Sequence, residues 1–126
     1  MSGNRLYRVL RDDEYPSQNG ISAKDPSAQK DLEEHVDGGS YSMSQFISCS
    51  NSLSAAKLFG SKKYGGGPYR IAVLDRDAIA NDRRIQVFDI SNGGGFSTER
   101  AINFARKFQE VVLVGYIPKK YVLEVK

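Results

Sequence analysis

The 126-residue chain has no tryptophan, one cysteine and one histidine. A lone Cys49 excludes an internal disulfide and fits a reducing compartment. One cysteine and one histidine cannot by themselves build a zinc site, and no metal-ligand spacing is visible, so no metal is expected. No apolar run approaches the ~20 residues needed to span a bilayer. Met1-Ser2-Gly3-Asn4-Arg5 offers no apolar stretch of the kind a signal peptide needs, so no membrane partner is expected. Charge of either sign is also sparse in net terms: 18 Lys and Arg against 15 Asp and Glu give +3. That balance permits a phosphate-bearing ligand but does not by itself argue for nucleic acid.

What remains is an ordinary globular composition, 40% hydrophobic and 26% charged. A chain of this length is read as one domain, 1–126, able to bury roughly two-thirds of its unfolded surface. Arg5 to Leu10 alternates as a first strand, with Leu6, Arg8 and Leu10 on one face. Arg11 to Asp25 reads as loop, with Gly20-Ile21-Ser22 as a short extended piece. Pro26 to Val36 reads as a helix capped by Asp25 and ended by Gly38-Gly39. Phe46 to Ser50 is a strand, followed by a helix through Phe59 capped by Ser50 or Asn51. Tyr69–Leu74 and Arg84–Ile90 are strands flanking a helical turn. Ser97 to Lys107 suits a helix with Ala101, Phe104 and Ala105 as its apolar stripe. Glu110 to Val114 is an apolar strand, and Tyr121 to Val125 is the last. The fold class expected is α+β with a mixed sheet.

Three segments place a polar group at the edge of an apolar strand: Arg8 in Leu6-Tyr7-Arg8, Ser48 and Ser50 in Phe46-Ile47-Ser48-Cys49-Ser50, and Glu110 in Gln109-Glu110-Val111-Val112-Leu113. The order strand-Arg, strand-Ser-x-Ser-helix, helix-strand-Glu resembles the Arg-Ser-Glu class of mono-ADP-ribosyltransferases, the cholera-toxin-like enzymes. Leu6-Tyr7-Arg8 resembles that family's opening strand. Glu110 to Pro118 resembles its catalytic strand and exit turn. The resemblance runs from Arg5 to about Val125. It implies a split β-sheet core with short flanking helices and a central cleft for NAD, which is consumed as a substrate. It also implies an effector or toxin module acting in the cytoplasm or delivered into a host cytosol. The acceptor it leaves open: protein, nucleic acid or water, the last making the enzyme an NAD glycohydrolase. The alternative is a catalytically degenerate member of the same fold that binds a nucleotide or a protein.

Under that resemblance the catalytic residues are Glu110, Arg8 and Ser48. Cleavage of the nicotinamide–ribose bond develops positive charge on the sugar, and a fixed carboxylate beside it stabilises chiefly the transition state. Glu110 fills that role. Arg8 suits a diphosphate oxygen through its planar fork of donors. Ser48 would hold Glu110 or the ribose, with Ser50 ordering the turn. Phe59 and Tyr64 are candidates to stack on nicotinamide or adenine. Phe108 stands where arginine-modifying relatives carry glutamate, so it is assigned to acceptor recognition and arginine is disfavoured as acceptor. His35 is read as a helix-end residue and Cys49 as a structural thiol.

Overall fold

A computed structural model describes residues 4–38 and 44–126. Its six strands are β1 (Arg5–Val9), β2 (Phe46–Ser50), β3 (Ile71–Asp75), β4 (Gln86–Asp89), β5 (Glu110–Val114) and β6 (Val122–Val125). Its helices are α1 (Pro16–Asn19), α2 (Leu32–Gly38), α3 (Leu53–Tyr64), α4 (Arg76–Ala80) and α5 (Glu99–Lys107). The strands form one sheet in the order β4-β5-β2-β1-β3-β6. Every pairing is antiparallel, which corrects the expected mixed sheet. The reason is topological. The β2–α3–β3 crossover passes over β1, so β2 and β3 run the same way but never touch, and each pairs with the strand between them.

Several helix boundaries also differ from expectation. Asp25 begins a turn, its Oδ1 accepting from the Ser27 amide at 3.2 Å and hydroxyl at 2.8 Å. The local side-chain bond competes with helix propagation, and the helix starts only at Leu32. Its expected stop at Gly38-Gly39 falls partly on Gly39, which lies outside the described residues. The N-cap of α3 is Ser52, whose Oγ accepts from the Ala55 amide at 3.1 Å, rather than Ser50 or Asn51. Ser50 is unavailable because it is still in the ladder, opposite Glu110. That helix continues past Phe59 to Tyr64 and ends on Gly65 in the left-handed region, φ 59°. The segment Pro16–Asn19, expected as loop, is a helical turn, while Ile21 makes the anticipated extended contact as a bridge to Ile117.

The sheet is close to being two. β1 and β3 pair from Arg5↔Asp75 to Val9↔Ile71, and β2 and β5 pair from Phe46↔Val114 to Ser50↔Glu110. Between β1 and β2, by contrast, the register has a single position, Tyr7↔Ser50. The halves β4-β5-β2 and β1-β3-β6 therefore meet at a splayed seam. One face of the whole sheet is covered by the main core, which includes Leu6, Ile47, Leu74, Leu113 and Ile117. The apolar packing elsewhere is divided: Val36, Ala101, Ala105 and Val112 join α2 and α5 to the β5 half. Val9, Ala56 and Ile71 join α3 to the β1 half.

Candidate active site

A cavity of about 80 Å³ lies at the seam. Its wall takes Val36, Phe46 and Phe104 from one apolar cluster and Tyr7, Val9 and Phe59 from the other. Its polar lining includes Arg8, His35, Ser48, Ser50 and Glu110. The two-residue period of a strand puts Ser48 and Ser50 on one face of β2. The register then sets Glu110 directly opposite Ser50, on the same face and diagonal to Ser48. Ile47 and Cys49 alternate to the main core, so Cys49 is buried and its thiol is pushed up to about 12, chiefly by burial. It is no nucleophile at neutral pH.

By alternation Arg8 shares a face with Leu6 and Leu10, yet at the splayed seam its guanidinium lines the cavity. Nη1 donates to the Ser48 carbonyl at 2.9 Å, so a side chain ties β1 to β2 beyond the point where the ladder stops. The other edge of the fork is occupied. Nε donates to Glu14 Oε2 at 3.2 Å and Nη2 to Oε1 at 3.1 Å, a two-point ion pair with Arg8 8% and Glu14 6% exposed. The Arg11 amide also donates to Glu14 Oε1, at 2.8 Å. Glu14 escapes notice in the sequence because it lies in a polar, turn-rich stretch. The signal is weak but present: a strand arginine meets a carboxylate six residues on, within reach of one turn.

Glu110 is 8% exposed. Burial pushes its carboxyl up to about 7, against smaller opposing effects of a Ser48 hydrogen bond and the Arg8 charge. His35 lies in the last turn of α2, as expected, but its ring does not cap the helix. Instead its ring sits between two serines, with Nδ1 2.6 Å from Ser44 Oγ and Nε2 2.6 Å from Ser48 Oγ. Burial, then the charges of Arg8 and Lys24, lower it to about 4, so it is neutral at pH 7. One assignment gives every group a partner. The Ser44 hydroxyl donates to Nδ1, Nε2–H donates to Ser48 Oγ, and the Ser48 hydroxyl is left to donate to Glu110. No sequence spacing marks this chain of bonds, since α2 and β2 meet only through tertiary packing.

The aromatic candidates divide. Phe59 lines the cavity and meets Phe108 edge-on, ring centroids 5.2 Å apart at 81°. Phe108 also lines it but is only 3% exposed. It is a piece of the wall between Phe59 and Phe104, not an outward platform. Tyr64 is not brought to the cavity. Its hydroxyl donates to the Leu10 carbonyl at 2.7 Å and its ring stacks on Tyr69. Between Phe108 and Glu110, Gln109 adopts φ 48°, a sparsely populated conformation for a residue with a side chain. Its Nε2 donates to the Arg106 carbonyl at 2.9 Å, closing the end of α5 immediately before the candidate carboxylate.

Among the described residues no cluster of His, Cys, Asp and Glu could hold a metal ion. No described helix is long and apolar enough to cross a membrane.

The split antiparallel sheet with short helices is consistent with an ADP-ribosyltransferase-like fold, and solved structures share that architecture. The chain is similar to EcPltA, with a TM-score of 0.71 and 17% identity over 98% of this chain and 75% of that one. It is also similar to nicked CARDS toxin, with a TM-score of 0.60 and 18% identity over 97% of this chain and 25% of that one. At such identities the likeness carries the fold alone. By sequence, residues 4–125 match the model of DUF7587, a domain of unknown function, and the chain belongs to that family. No curated protein sequence matches it.

Proposed function

We propose that this protein is an NAD-dependent mono-ADP-ribosyltransferase. The observation that carries the reading is the convergence of Arg8, Ser48 and Glu110, from three strands far apart in sequence, on one cavity. In this reading the nicotinamide ribose enters the cavity, with Phe59 against the ring. The bond between nicotinamide and the anomeric carbon breaks with its electron pair leaving on nicotinamide. The positive charge that develops on the sugar is stabilised by ionised Glu110. The acceptor's nucleophilic atom then bonds to that carbon, and its proton passes to Glu110, whose raised pKa of about 7 suits a base at neutral pH. Ser48 aims the carboxylate, and neutral His35 is a positioning residue that keeps the Ser48 hydroxyl pointed at it.

Arg8 contributes its remaining N–H groups to the diphosphate. Arginine as acceptor is disfavoured, because the wall at Phe108 is a buried ring without an anionic group to orient a guanidinium. Water or a planar acceptor fits better. The test is nicotinamide release from NAD by the wild type and by Glu110→Gln, which keeps shape but removes the charge. A drop of ~100-fold or more with NAD still bound is expected, the scale of losing one electrostatic stabiliser. Equal turnover would assign Glu110 a structural role. A second reading, a binding module without turnover, is favoured by one observation, the Glu14 carboxylate already seated in the Arg8 fork. NAD binding without any nicotinamide release would establish it.

A further inference from the structure

Positive charge is concentrated on two helices. α3 carries Lys57, Lys62 and Lys63 and no acid. α5 carries Arg100, Arg106 and Lys107 against Glu99 alone. That excess is larger than the net +3 of the whole chain, so the remainder of the protein is net acidic. Charge segregated in this way gives the molecule a one-sided field.

The two helices meet at the aromatic wall of the seam cavity. Phe59 of α3 contacts Phe108 at the end of α5, and Phe108 lies 5.6 Å from Phe104. Three exposed cationic side chains gather on this wall. Lys62 Nζ is 4.5 Å from the Phe104 centroid and 5.7 Å from the Phe108 centroid. Lys107 Nζ is 5.6 Å from Phe108, and the Arg100 guanidinium is 5.8 Å from Phe104. A ring face attracts a cation without neutralising it, so these charges still repel one another. Among the described residues no carboxylate forms an ion pair with Lys62 or Lys107. Glu33 of α2 is occupied by the Ser97 and Thr98 amides at the start of α5.

We propose that this face of α3 and α5 docks a single strand of nucleic acid: its phosphates sit on Lys62 and Lys107, and a base turns onto Phe59 and Phe104. Two ammonium groups held at one ring, with no counter-ion, are best met by anions at equally short spacing. A phosphodiester backbone carries one charge per nucleotide at a fixed repeat. An acidic protein surface reaches that density only where its carboxylates crowd and repel one another. Lysine serves a phosphate as a point charge and needs no planar fork. Phe59 and Phe104 are only partly buried and line the cavity. Aromatic rings beside a cationic track are the other half of a single-strand site. The inference goes beyond the transferase reading and does not depend on it.

The experiment is fluorescence anisotropy of the full chain with a labelled oligothymidine of about 12 nucleotides, within the usual range of single-strand site sizes. The wild type is expected to bind it with an affinity that falls as salt rises. Lys62→Gln and Lys107→Gln should each weaken binding and flatten the slope of log affinity against log salt by ~0.7, one phosphate contact apiece. Lys119→Gln removes the same charge from an exposed position in the turn Lys119–Tyr121 and should leave the slope unchanged. No binding by the wild type, or an equal loss in Lys119→Gln, overturns the assignment of this face. Labelled polyglutamate bound as tightly, and released by the same two substitutions, would make the partner an acidic protein instead. A duplex of the same length bound as tightly as the single strand would mean that the rings take no part, and would overturn the single-strand assignment. Nicotinamide release is a separate measurement. Strand binding without turnover keeps this surface and sinks the transferase, and turnover without strand binding does the reverse.

Discussion

Glu110 and His35 should leave opposite marks on the pH dependence of stability, and each mark can be isolated. The Glu110 carboxyl rises from 4.5 to about 7 on folding. Between those values the folded state holds a proton that the unfolded state has lost, so stability falls as pH rises. His35 drops from 6.5 to about 4. Between those values the unfolded state holds the extra proton, so stability rises with pH. From pH 4.5 to 6.5 the two slopes are equal and opposite, and the wild type shows neither. A tenfold change in proton affinity between the folded and unfolded states corresponds to about 1.4 kcal/mol, so each group alone spans about 3 kcal/mol.

Urea denaturation followed by far-UV circular dichroism, between pH 4 and 8, provides the assay. The stability of Glu110→Gln relative to wild type should climb by about 3 kcal/mol from pH 4.5 to 7 and then level off. The stability of His35→Asn relative to wild type should fall by a similar amount from pH 4 to 6.5. Taking differences cancels every other titrating group. A Glu110→Gln difference that is flat across this range would mean that the carboxyl ionises as it does in water. The burial argument for its role as base would then be wrong.

Three further outcomes follow from the same contacts. Glu14→Ala leaves the Arg8 guanidinium buried without its anion and should cost about 3–5 kcal/mol. Added pyrophosphate should then raise the melting temperature of the variant more than that of the wild type, and an equal rise would mean that Arg8 does not meet the added anion. The wild type, given labelled NAD and agmatine, should label agmatine poorly; robust labelling would refute the reading of Phe108 as a wall without an acceptor-orienting group. Ser52→Ala removes the α3 cap and should cost about 1 kcal/mol in urea denaturation, whereas an unchanged midpoint would mean that the Ser52–Ala55 bond contributes nothing.

By itself the sequence determined the elements that follow from local pattern. Local apolar pattern, alternating in β1 and unbroken in β5, marks all six strands in order, and it delimits Phe46–Ser50 and Glu110–Val114 to the residue. It also sets Ser48 and Ser50 apart from Cys49, and it identifies the strand edges that carry Arg8 and Glu110. Where short-range side-chain bonds compete with helix formation, pattern was a poorer guide, as at Asp25, where an Asx-type turn stops a helix that Asp-Pro would otherwise begin. The long-range pairings were decided only in three dimensions. The sheet is wholly antiparallel because β1 lies between β2 and β3, a fact no local window contains. The seam opens because β1 and β2 share a single register position, and that opening makes the cavity. His35 reaches Ser48 because α2 packs against the β5 half of the sheet, and Glu14 reaches Arg8 because the loop after β1 folds back. Each of these is a contact between segments whose meeting depends on how the whole chain buries its apolar surface. A residue's chemical type is written in the sequence, but its partner, and with it its charge state and its work, is set by that packing.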